Sequence, residues 1–344
     1  MVTARPFGVT RHGEPVTEYT LTNAAGMQVR CLDWGGHVIA VLVPDRAGRM
    51  VDVVLGFDTV AEYEWDEAFL GAFVGRFANR IEKAAFELDG VHYALEVNNG
   101  PNHNHGVWHL KPAAETEYDP AGSSITFRYD SPDGEDGFPG NVTAWLTYRL
   151  EEANALTIEY RAVTDRATPI NLTNHSYFNL AGGGDVLDHR LTLHAARFTP
   201  ADEYSCPYGT VEPVAGTPMD FTAEKPIGRD IDADYDQLVW GRGYDHNWCV
   251  DGTPGTLRPA AEAWCEATGI TLACLTTQPG VQLYTGNWLE RVPGKSGQPI
   301  FPRAGFCLET QHYPCGPNRP AFPDCILRPG GEYRQTTQYR FGTR

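Results

Sequence analysis

Apolar and polar residues alternate along much of this chain with the two-residue period that is typical of β-strands. The alternation runs from Asn141 to Leu150 and, after a predicted turn at Glu151 to Asn154, resumes from Leu156 to Ala162. This pattern predicts an antiparallel hairpin with one buried face and one more polar face. Similar runs predict further strands in four segments, Ile125 to Tyr129, Arg190 to Ala195, Val281 to Thr285 and Tyr333 to Phe341.

Other segments of the chain complete the picture of an all-β protein. The segment His37 to Val43 is more continuously apolar, which predicts a strand covered on both faces. Helical periodicity is confined to two short stretches, Thr59 to Phe69 and the region near Asp230 to Leu238. The 36 glycines and 25 prolines separate the predicted strands with turns. Many short strands joined by turns favour a large sandwich of antiparallel sheets.

Length and composition bound the domain organisation. The chain has 344 residues, of which 42% are hydrophobic, enough for a large buried core. No internal repeat, low-complexity tract or linker-like change in composition interrupts it. Single all-β domains often reach this length, so we expect one domain over residues 1–344.

The net charge and the lack of long apolar segments limit the kinds of partner that we expect. The formal net charge is -17 and the isoelectric point is about 5.0, whereas phosphate binding needs a basic surface, so we expect no nucleic-acid partner. No apolar run approaches the length of a membrane span, and Met1 to Pro15 lack the apolar region of a signal peptide. We therefore expect a soluble, cytoplasmic protein with no membrane partner.

The cysteines indicate neither a zinc site nor a redox motif. There are eight of them, and no two form a C-x-x-C pair. In the expected cytoplasmic setting, most of the thiols should be reduced.

Two distant segments each embed one titratable side chain among amides, hydroxyls and aromatics. His175 lies in Asn174 to Leu180, and Glu309 lies in Phe306 to His312. This mixture suits the recognition of a polyhydroxylated ligand. An acid that titrates near neutral pH and a carboxylate base would form a proton-transfer site if they met over a sugar.

Strand alternation predicts where Glu309 points. If Phe306 and Leu308 face the core, Glu309 faces the opposite side, into a groove. By the same argument Gln282 faces away from the side occupied by its apolar neighbours. The alternative is that Glu309 and Gln282 are ordinary surface residues on exposed strands.

Other polar residues stand at unusual places. Asn79 and Arg80 could donate hydrogen bonds to sugar hydroxyls, or Arg80 could pair with Glu82 or another carboxylate in a structural role. Asp245 lies beside aromatic residues and could accept hydrogen bonds from two adjacent hydroxyls, or it could cap a turn.

Three closely spaced histidines, His103, His105 and His109, raise the question of a metal site. No spaced Cys, Asp or Glu accompanies them, and such a pattern alone is weak evidence for a metal. One histidine that binds a ligand, among polar loop residues, is the interpretation that we favour.

Taken together, the motifs resemble the aldose 1-epimerase family, the galactose mutarotases, essentially from end to end. The resemblance rests on Pro44-Asp45-Arg46 with Gly48, Val53 to Phe57, Gly75 to Ile81, Asn98 to Asn102, Ser131 to Asn141, Asn174 to Leu180, Tyr244 to Asn247, Gln278 to Asn287 and Cys307 to Gln311. Their order and number make chance agreement improbable.

The resemblance implies a fold, an activity and a set of site residues. The implied fold is a galactose mutarotase-like supersandwich with an open sugar cleft, and neither a metal nor another cofactor is implied. By similarity, Glu309 is the general base and His175 the general acid. The positions implied to bind the sugar substrate are Asn79, Arg80, His105, Asp245 and Gln282, together with Tyr177, which orients either His175 or the sugar.

The chain departs from the family pattern at two places. The family commonly has Leu-His-Gly-Gly where this chain has Asn104-His105-Gly106-Val107. The usual Pro-Asp pair after Glu309 is here Pro314-Cys315. The first departure bears on sugar specificity and the second on the shape of a loop.

The implied reaction is the interconversion of the α and β anomers of a free aldose such as D-galactose or D-glucose. On reference pKa values, Glu309 would be ionised at neutral pH, and His175 would be protonated if a neighbour such as Asp245 raised its pKa. Glycoside hydrolysis by Glu309 and Asp245 is one alternative. A non-catalytic sugar-binding or sugar-sensing protein on the same fold is another. We expect a monomer, with a homodimer as the alternative.

Overall fold

The structure is a computed structural model that describes residues 1–98, 100–104 and 108–344, apart from the side chain of Asn104. Its two α-helices within these ranges are α1 (Val60–Glu64) and α2 (Asp236–Gly241), and short 3-10 helices occupy Glu82–Ala84, Trp108–Leu110, Glu135–Gly137, Ile227–Arg229, Lys295–Gly297 and Gly316–Asn318.

Strands make up most of the regular structure. In chain order they are β1 (Val2–Val9), β2 (Pro15–Thr22), β3 (Gln28–Leu32), β4 (Val38–Pro44), β5 (Met50–Asp52), β6 (Phe73–Val74), β7 (Arg80–Ile81), β8 (Ala85–Leu88), β9 (Val91–Ala94), β10 (His103–Asn104), β11 (Glu115–Tyr118), β12 (Ser124–Ser131), β13 (Val142–Glu151), β14 (Ala155–Thr164), β15 (Thr168–Pro169), β16 (Thr173–Asn174), β17 (Tyr177–Phe178), β18 (Arg190–Leu193), β19 (Arg197–Thr199), β20 (Glu212–Pro213), β21 (Lys225–Pro226), β22 (Asp245–Cys249), β23 (Arg258–Trp264), β24 (Ile270–Thr276), β25 (Gly280–Tyr284), β26 (Val292–Pro293), β27 (Pro299–Ile300), β28 (Phe306–Gln311), β29 (Ile326–Leu327) and β30 (Tyr333–Thr343).

Three larger sheets organise these strands. The largest has nine strands in the order β11-β12-β13-β14-β30-β24-β23-β18-β21, the second has six in the order β17-β28-β25-β22-β19-β20, and the third joins β1 to β5. Neighbouring strands in these sheets run antiparallel, for example β13 against β14 and β25 against β28. The remaining short strands form two-stranded ribbons.

The six-stranded sheet packs face to face on the nine-stranded sheet. The Tyr339 hydroxyl of β30 donates to the Leu308 carbonyl of β28 at 2.8 Å, and the rings of Phe178 and Tyr339 lie 4.9 Å apart. One continuous core cluster includes Leu146 and Tyr339 of the large sheet with Val281 and Leu308 of the six-stranded sheet. The predicted sandwich of antiparallel sheets is therefore confirmed.

The predicted hairpin is also confirmed. β13 and β14 pair in register, with Leu146 opposite Tyr160. Along β13, buried residues alternate with half-buried ones, because Val142, Leu146 and Leu150 point into the core. The other predicted strands correspond to β4, β12, β18, β25 and β30, and three of them, at β4, β18 and β25, extend one or two residues past the observed strand.

The two helical predictions fare differently. α1 lies inside the first predicted stretch and begins at a capping box, in which the side chains of Thr59 and Glu62 each bond the other's backbone N–H. The second prediction is displaced: α2 begins only at Asp236, and a 3-10 turn at Ile227–Arg229 precedes the predicted start. None of the helices in the described part of the chain is long and apolar enough to cross a membrane.

A buried arginine after β6 binds the end of β12 and the connection from β12 to β13. Arg76 is 1% exposed. Its Nη1 donates to the carbonyl oxygens of Pro139 and Gly140, each at 2.9 Å, and its Nη2 donates to Ser131 Oγ at 2.6 Å and to the Pro132 carbonyl at 3.0 Å. Burial lowers the pKa of Arg76 to about 10, against acidic neighbours that raise it. The side chain therefore stays cationic at neutral pH and satisfies four acceptors at once.

We expect Arg76→Met to lower the free energy of unfolding by about 3–5 kcal/mol, because it leaves several buried acceptors without a donor. Urea unfolding followed by tryptophan fluorescence measures the change. The matched control is Arg166→Met, since Arg166 is an exposed arginine 3.8 Å from Asp133 and its loss should cost at most about 1 kcal/mol. Equal effects of the two substitutions would contradict the assignment.

Candidate active site

Three neighbouring strands of the six-stranded sheet form the floor of the candidate site. β25 lies between β22 and β28, and its residue Gln282 stands directly opposite Glu309. Val281 and Leu283 belong to the core, as do Phe306 and Leu308. Gln282 and Glu309 therefore project from the opposite face, as their strand parity predicts, but both are only 2% exposed, so the alternative of a surface location is wrong.

His175 reaches this face from the connection between β16 and β17. Its backbone N–H donates to the Ala72 carbonyl at 2.9 Å, and its own carbonyl accepts from the Gly71 N–H at 3.0 Å. β17 in turn pairs with β28, with Tyr177 opposite Cys307. These backbone bonds fix the imidazole beside the carboxylate-bearing strand.

His175 and Glu309, far apart in sequence, meet in the folded chain. His175 Nε2 lies 3.5 Å from Glu309 Oε2, and both side chains are almost completely buried. Within the described residues, Oε2 receives no hydrogen bond that meets normal geometry. A buried carboxylate oxygen without a donor is costly, and such groups concentrate at functional sites.

Burial moves both groups toward their uncharged forms. It lowers the pKa of His175 to about 4, although Asp245 acts in the opposite direction. It raises the pKa of Glu309 well above its ordinary value, and Asp245 adds to this rise while Arg80 opposes it. In the unliganded site, desolvation thus disfavours both the carboxylate form of Glu309 and the imidazolium form of His175, and for His175 it outweighs the opposing effect of Asp245.

Five polar side chains form a closed ring of hydrogen bonds on the same face, which we call the polar ring. Arg80 Nη2 donates to Asp245 Oδ2 at 3.4 Å, and Gln282 Nε2 donates to Asp245 Oδ1 at 2.7 Å. Gln311 Nε2 donates to Gln282 Oε1 at 3.1 Å, and Asn79 Nδ2 donates to Gln311 Oε1 at 3.5 Å. Asn79 Oδ1 closes the ring by accepting from Arg80 Nη1 at 3.4 Å. Each side chain is thereby oriented by two neighbours.

The polar ring decides between the alternatives for two of its members. Arg80 does pair with a carboxylate, as one alternative had it, but the partner is Asp245 and not Glu82, whose carboxylate pairs with Arg319 at 2.9 Å. Asp245 lies at the start of β22, and its two oxygens bind Gln282 and Arg80. Asp245 thus orients the ring and does not cap a turn.

Aromatic side chains enclose His175. The Tyr177 ring lies 5.0 Å from the imidazole, the Phe69 ring 6.0 Å and the Tyr284 ring 6.3 Å. The Tyr177 hydroxyl donates to the Ala68 carbonyl at 2.8 Å. This bond directs the hydroxyl to the protein backbone and favours the role in which Tyr177 orients His175.

A cleft of about 960 Å³ opens above the pair. His175, Glu309, Asp245 and Arg80 line it, and Tyr177 does so as well. Its volume lies near the upper end of the ~300–1,000 Å³ that is typical of small-molecule sites. The cleft therefore gives a ligand access to the buried pair.

One group of potential metal ligands exists in the described part of the chain. It consists of His175, Cys307 and Glu309, whose ligand atoms lie within 4.8 Å of one another. Burial raises the pKa of the Cys307 thiol well above its ordinary value, which disfavours the thiolate that metals bind. The two ring nitrogens also face different partners, Nδ1 the Cys307 sulfur at 3.6 Å and Nε2 Glu309. The geometry favours a proton-transfer pair over a metal centre.

All of the predicted site residues within the described part of the chain lie close together. His175, Glu309, Asn79, Arg80, Asp245, Gln282 and Tyr177 all lie at or beside the cleft. His105 lies outside the described residues. Gln311 and Tyr284 were not predicted as site residues, although a signal exists, since each stands two positions from Glu309 or Gln282 on the same strand face.

Comparison with known proteins agrees with this arrangement. The family model described as aldose 1-epimerase matches residues 17–340. The chain is 41% identical to a galactose mutarotase of Bos taurus, over 99% of this chain and 98% of the relative. It is 36% identical to an aldose 1-epimerase of Escherichia coli, over 96% of each chain.

The chain belongs to the aldose 1-epimerase family.

Solved structures of the family share the fold. An aldose epimerase homologue from C. elegans superposes with a TM-score of 0.87 at 31% identity, covering 94% of this chain and 98% of that one. A galactose 1-epimerase from Lactobacillus acidophilus gives a TM-score of 0.88 at 27% identity, covering 100% and 99%.

One of the two departures from the family pattern can be located. Cys315 is fully buried and adopts a left-handed backbone conformation, with φ 58°. Its N–H donates to the Arg80 carbonyl at 2.7 Å, so this loop supports a member of the polar ring. The other departure, at His105 to Val107, lies outside the described residues.

We expect Asp245→Asn to lower the pKa of His175 further, because the substitution removes the carboxylate that raises it. Histidine NMR, recorded down to the lowest pH at which the protein stays folded, measures the protonated fraction. The matched control is Asp185→Asn, because Asp185 raises the pKa of His189 in the same way. Each substitution should move only its own histidine among these two, and a rise in the His175 pKa on Asp245→Asn would refute the electrostatic account.

Proposed function

We propose that the protein is a mutarotase that interconverts the α and β anomers of free aldoses such as D-galactose or D-glucose. The observation that carries the proposal is the buried pair, in which Glu309 Oε2 receives no hydrogen bond of normal geometry from the described residues and lies 3.5 Å from His175 Nε2 at the base of a cleft. The anomeric hydroxyl of an aldose is a donor that would satisfy this oxygen. The adjacent polar ring supplies donors and acceptors for the other hydroxyls.

The number of titratable protons on His175 and Glu309 explains how two buried, uncharged groups can act as acid and base in this reaction. A protonated Glu309 with a neutral His175 holds one proton, and so does a Glu309 carboxylate with a His175 imidazolium. The two forms differ only in the position of that proton. A sugar hydroxyl that donates to Glu309 favours the carboxylate, since hydrogen bonds to the charged form lower the pKa of a carboxyl group.

Ring opening then follows from the ion-pair form. Glu309 accepts the proton of O1, His175 donates its proton to the ring oxygen O5, the C1–O5 bond breaks and the C1=O1 carbonyl forms. Rotation about C1–C2 exposes the other face of the aldehyde. As the ring closes, Glu309 returns its proton to O1 and His175 takes its proton back from the O5 hydroxyl. Protons and electrons balance within the pair and the sugar.

Neither alternative function gains support from the site. Glycoside hydrolysis would assign Asp245 to the second carboxylate role, but both of its oxygens bind Gln282 and Arg80. A sugar sensor would need only the polar ring, and it would not need the buried pair with its unsatisfied carboxylate oxygen. The pair therefore favours catalysis.

Other expectations remain proposals. We propose one domain, supported by a core cluster that contains residues from Val2 to Phe341. We also propose a cytoplasmic monomer that acts in hexose metabolism, without a cofactor, nucleic-acid partner or membrane partner. The eight buried cysteine thiols and the net charge of -17 are compatible with this setting.

Polarimetry of freshly dissolved α-D-glucose and α-D-galactose tests the function. We expect the protein to accelerate mutarotation, and we expect Glu309→Gln and His175→Asn each to reduce the rate by about 10²–10⁴-fold, the typical contribution of a positioned acid or base. Binding without acceleration would identify a sensor instead.

The chain offers a matched control for this pair. His194 Nε2 lies 3.4 Å from Glu262 Oε1, but both side chains are exposed and outside the cleft. His194→Asn and Glu262→Gln should leave the mutarotation rate unchanged. Full activity of Glu309→Gln or His175→Asn would refute the assigned roles.

The pH dependence of kcat/KM gives a further prediction. A second proton on the pair removes the base, and burial lowers the pKa of His175 to about 4. As the pH falls, we expect activity to persist through about 6.5, the ordinary imidazole pKa, and to be lost only near pH 4. Circular dichroism at each pH separates this loss from unfolding, and a loss centred near pH 6.5 in folded protein would contradict the prediction.

A further inference from the structure

A buried thiol contacts the ring nitrogen of His175 that does not face Glu309. Cys307 Sγ lies 3.6 Å from His175 Nδ1, in the geometry of a weak hydrogen bond, whereas Nε2 lies 3.5 Å from Glu309 Oε2. The two ring nitrogens therefore have different partners. The proposed proton transfers use Nε2, and they leave Nδ1 and the thiol without a role.

One strand carries both of these partners of the imidazole. Cys307 and Glu309 are two residues apart on β28, so their side chains project from the same face about 6.5–7 Å apart along the strand. Backbone pairing holds β28 on both sides at this point, because Cys307 stands opposite Tyr177 of β17 and opposite Tyr284 of β25. The backbone therefore sets the position of the sulfur relative to the carboxylate.

The thiol at this position is uncharged. Cys307 is completely buried, and burial raises its pKa well above the ordinary value, with Glu309 and Asp245 adding to the rise. The side chain is thus a thiol and not a thiolate, and it adds no charge beside the pair. A thiol is a weak donor through S–H and a weak acceptor through sulfur, so it can contact either a bare or a protonated Nδ1.

A second contact indicates which ring nitrogen carries the proton. Burial lowers the pKa of His175, and a hydrogen bond to the backbone of the same residue opposes this effect. A bond that raises the pKa of an imidazole is one that accepts a ring proton. Of the two ring nitrogens, Nδ1 is the one that can reach the backbone of its own residue, since Nε2 lies on the far side of the ring. Nδ1 therefore carries the proton, and the Cys307 sulfur is a second acceptor for it.

The proposed chemistry requires the same tautomer. In the uncharged pair, protonated Glu309 can donate to Nε2 only if Nε2 has no proton of its own. In the ion-pair form Nε2 carries the transferred proton, and after it gives that proton to O5 the ring returns to the neutral Nδ1–H form. The opposite tautomer would have to lose its only ring proton and become an imidazolate, which does not form near neutral pH. The proton on Nδ1 must therefore stay in place while the proton on Nε2 comes and goes.

We infer that Cys307 is a positioning residue, whose sulfur accepts a hydrogen bond from His175 Nδ1–H and so keeps Nε2 as the nitrogen that exchanges protons with Glu309 and the sugar. A partner on one ring nitrogen fixes the tautomer and the orientation of a histidine. An uncharged sulfur does this without the charge of a carboxylate, which would stabilise the imidazolium and make it a weaker acid. The inference rests on the proposed mutarotase function and adds a residue to it.

Nitrogen-15 NMR of protein labelled at histidine measures the tautomer of His175. Near neutral pH and without sugar, we expect a protonated Nδ1 and an unprotonated Nε2 in the wild-type protein, with the signals assigned by their loss in His175→Asn. In Cys307→Ala, the share of the Nε2–H tautomer should rise about 3–10-fold, because Nδ1–H has lost one acceptor. A wild-type ring with its proton on Nε2 overturns the inference, as does an unchanged share in Cys307→Ala.

Polarimetry with glucose and galactose measures the consequence for the rate. Cys307→Ala should lower kcat about 3–10-fold, the effect of one weak hydrogen bond. It should leave KM nearly unchanged, because Cys307 orients the acid and does not line the cleft. Cys307→Ser should recover most of kcat, since a hydroxyl is also an uncharged acceptor. A packing role predicts the opposite order, so a Cys307→Ser protein no faster than Cys307→Ala overturns the inference.

A matched control separates the contact with His175 from the general effect of removing a buried thiol. Cys274 is equally buried, in β24 of the nine-stranded sheet, and burial raises the pKa of its thiol as well. Cys274→Ala should leave the tautomer and kcat unchanged, and urea unfolding reports the loss of stability that both alanine substitutions share. If Cys307→Ala fails to fold, the wild-type spectrum and Cys307→Ser decide.

The outcomes distinguish the inference from the function on which it rests. Wild-type protein that accelerates mutarotation, with kcat unchanged in Cys307→Ala, overturns the inference and leaves the mutarotase function intact. Wild-type protein that accelerates the mutarotation of no aldose overturns the proposed function and the inference with it.

Discussion

The hydrogen-bonded register of β22, β25 and β28 is the constraint on which the candidate site depends. It places Gln282 opposite Glu309 and Asp245 opposite Tyr284. Because side chains alternate between faces, a slip of one residue would turn the polar set into the core. The apolar residues of the same strands prevent this slip, since Val281, Leu283, Phe306 and Leu308 pack into the continuous core. The core between the sheets therefore positions the chemistry on the opposite face.

The buried polar groups on that face are of two kinds, those whose hydrogen bonds are satisfied within the protein and one that lacks a normal hydrogen bond. The members of the polar ring satisfy one another, so the ring is rigid and stable in a low dielectric. Glu309 Oε2, by contrast, has no normal hydrogen bond within the described structure and lies near a neutral imidazole. An unsatisfied buried acceptor costs about 1–3 kcal/mol, which the large core can offset. The fold thus holds His175 and Glu309 in position for a ligand, beside a polar ring whose hydrogen bonds are already made.

The cleft combines a preorganised base with an aromatic, acidic entrance. Backbone bonds from Ala72 and Gly71 fix His175, and Cys315 supports Arg80 through its carbonyl. At the entrance, the exposed rings of Trp288 and Trp65 contact the guanidinium groups of Arg242 and Arg11, and the Trp288 N–H donates to the Tyr284 hydroxyl. The catalytic groups need the more rigid positions, because the rate of proton transfer is sensitive to changes of a few tenths of an ångström in the distance between donor and acceptor.

Alternation along the chain was enough to predict the fold class, the hairpin of β13 and β14 and the face on which Glu309 and Gln282 lie, because it is a local property of extended chains. The family resemblance added the pairing of His175 with Glu309. Tertiary structure decided the rest. It closed the polar ring through Gln311, placed Cys307 beside His175 and buried both members of the pair, so that desolvation disfavours the charged forms that reference pKa values led us to expect. It also displaced the second helix to α2. These features depend on which distant segments meet and on how much water they exclude. Neither can be read from a local pattern in the chain.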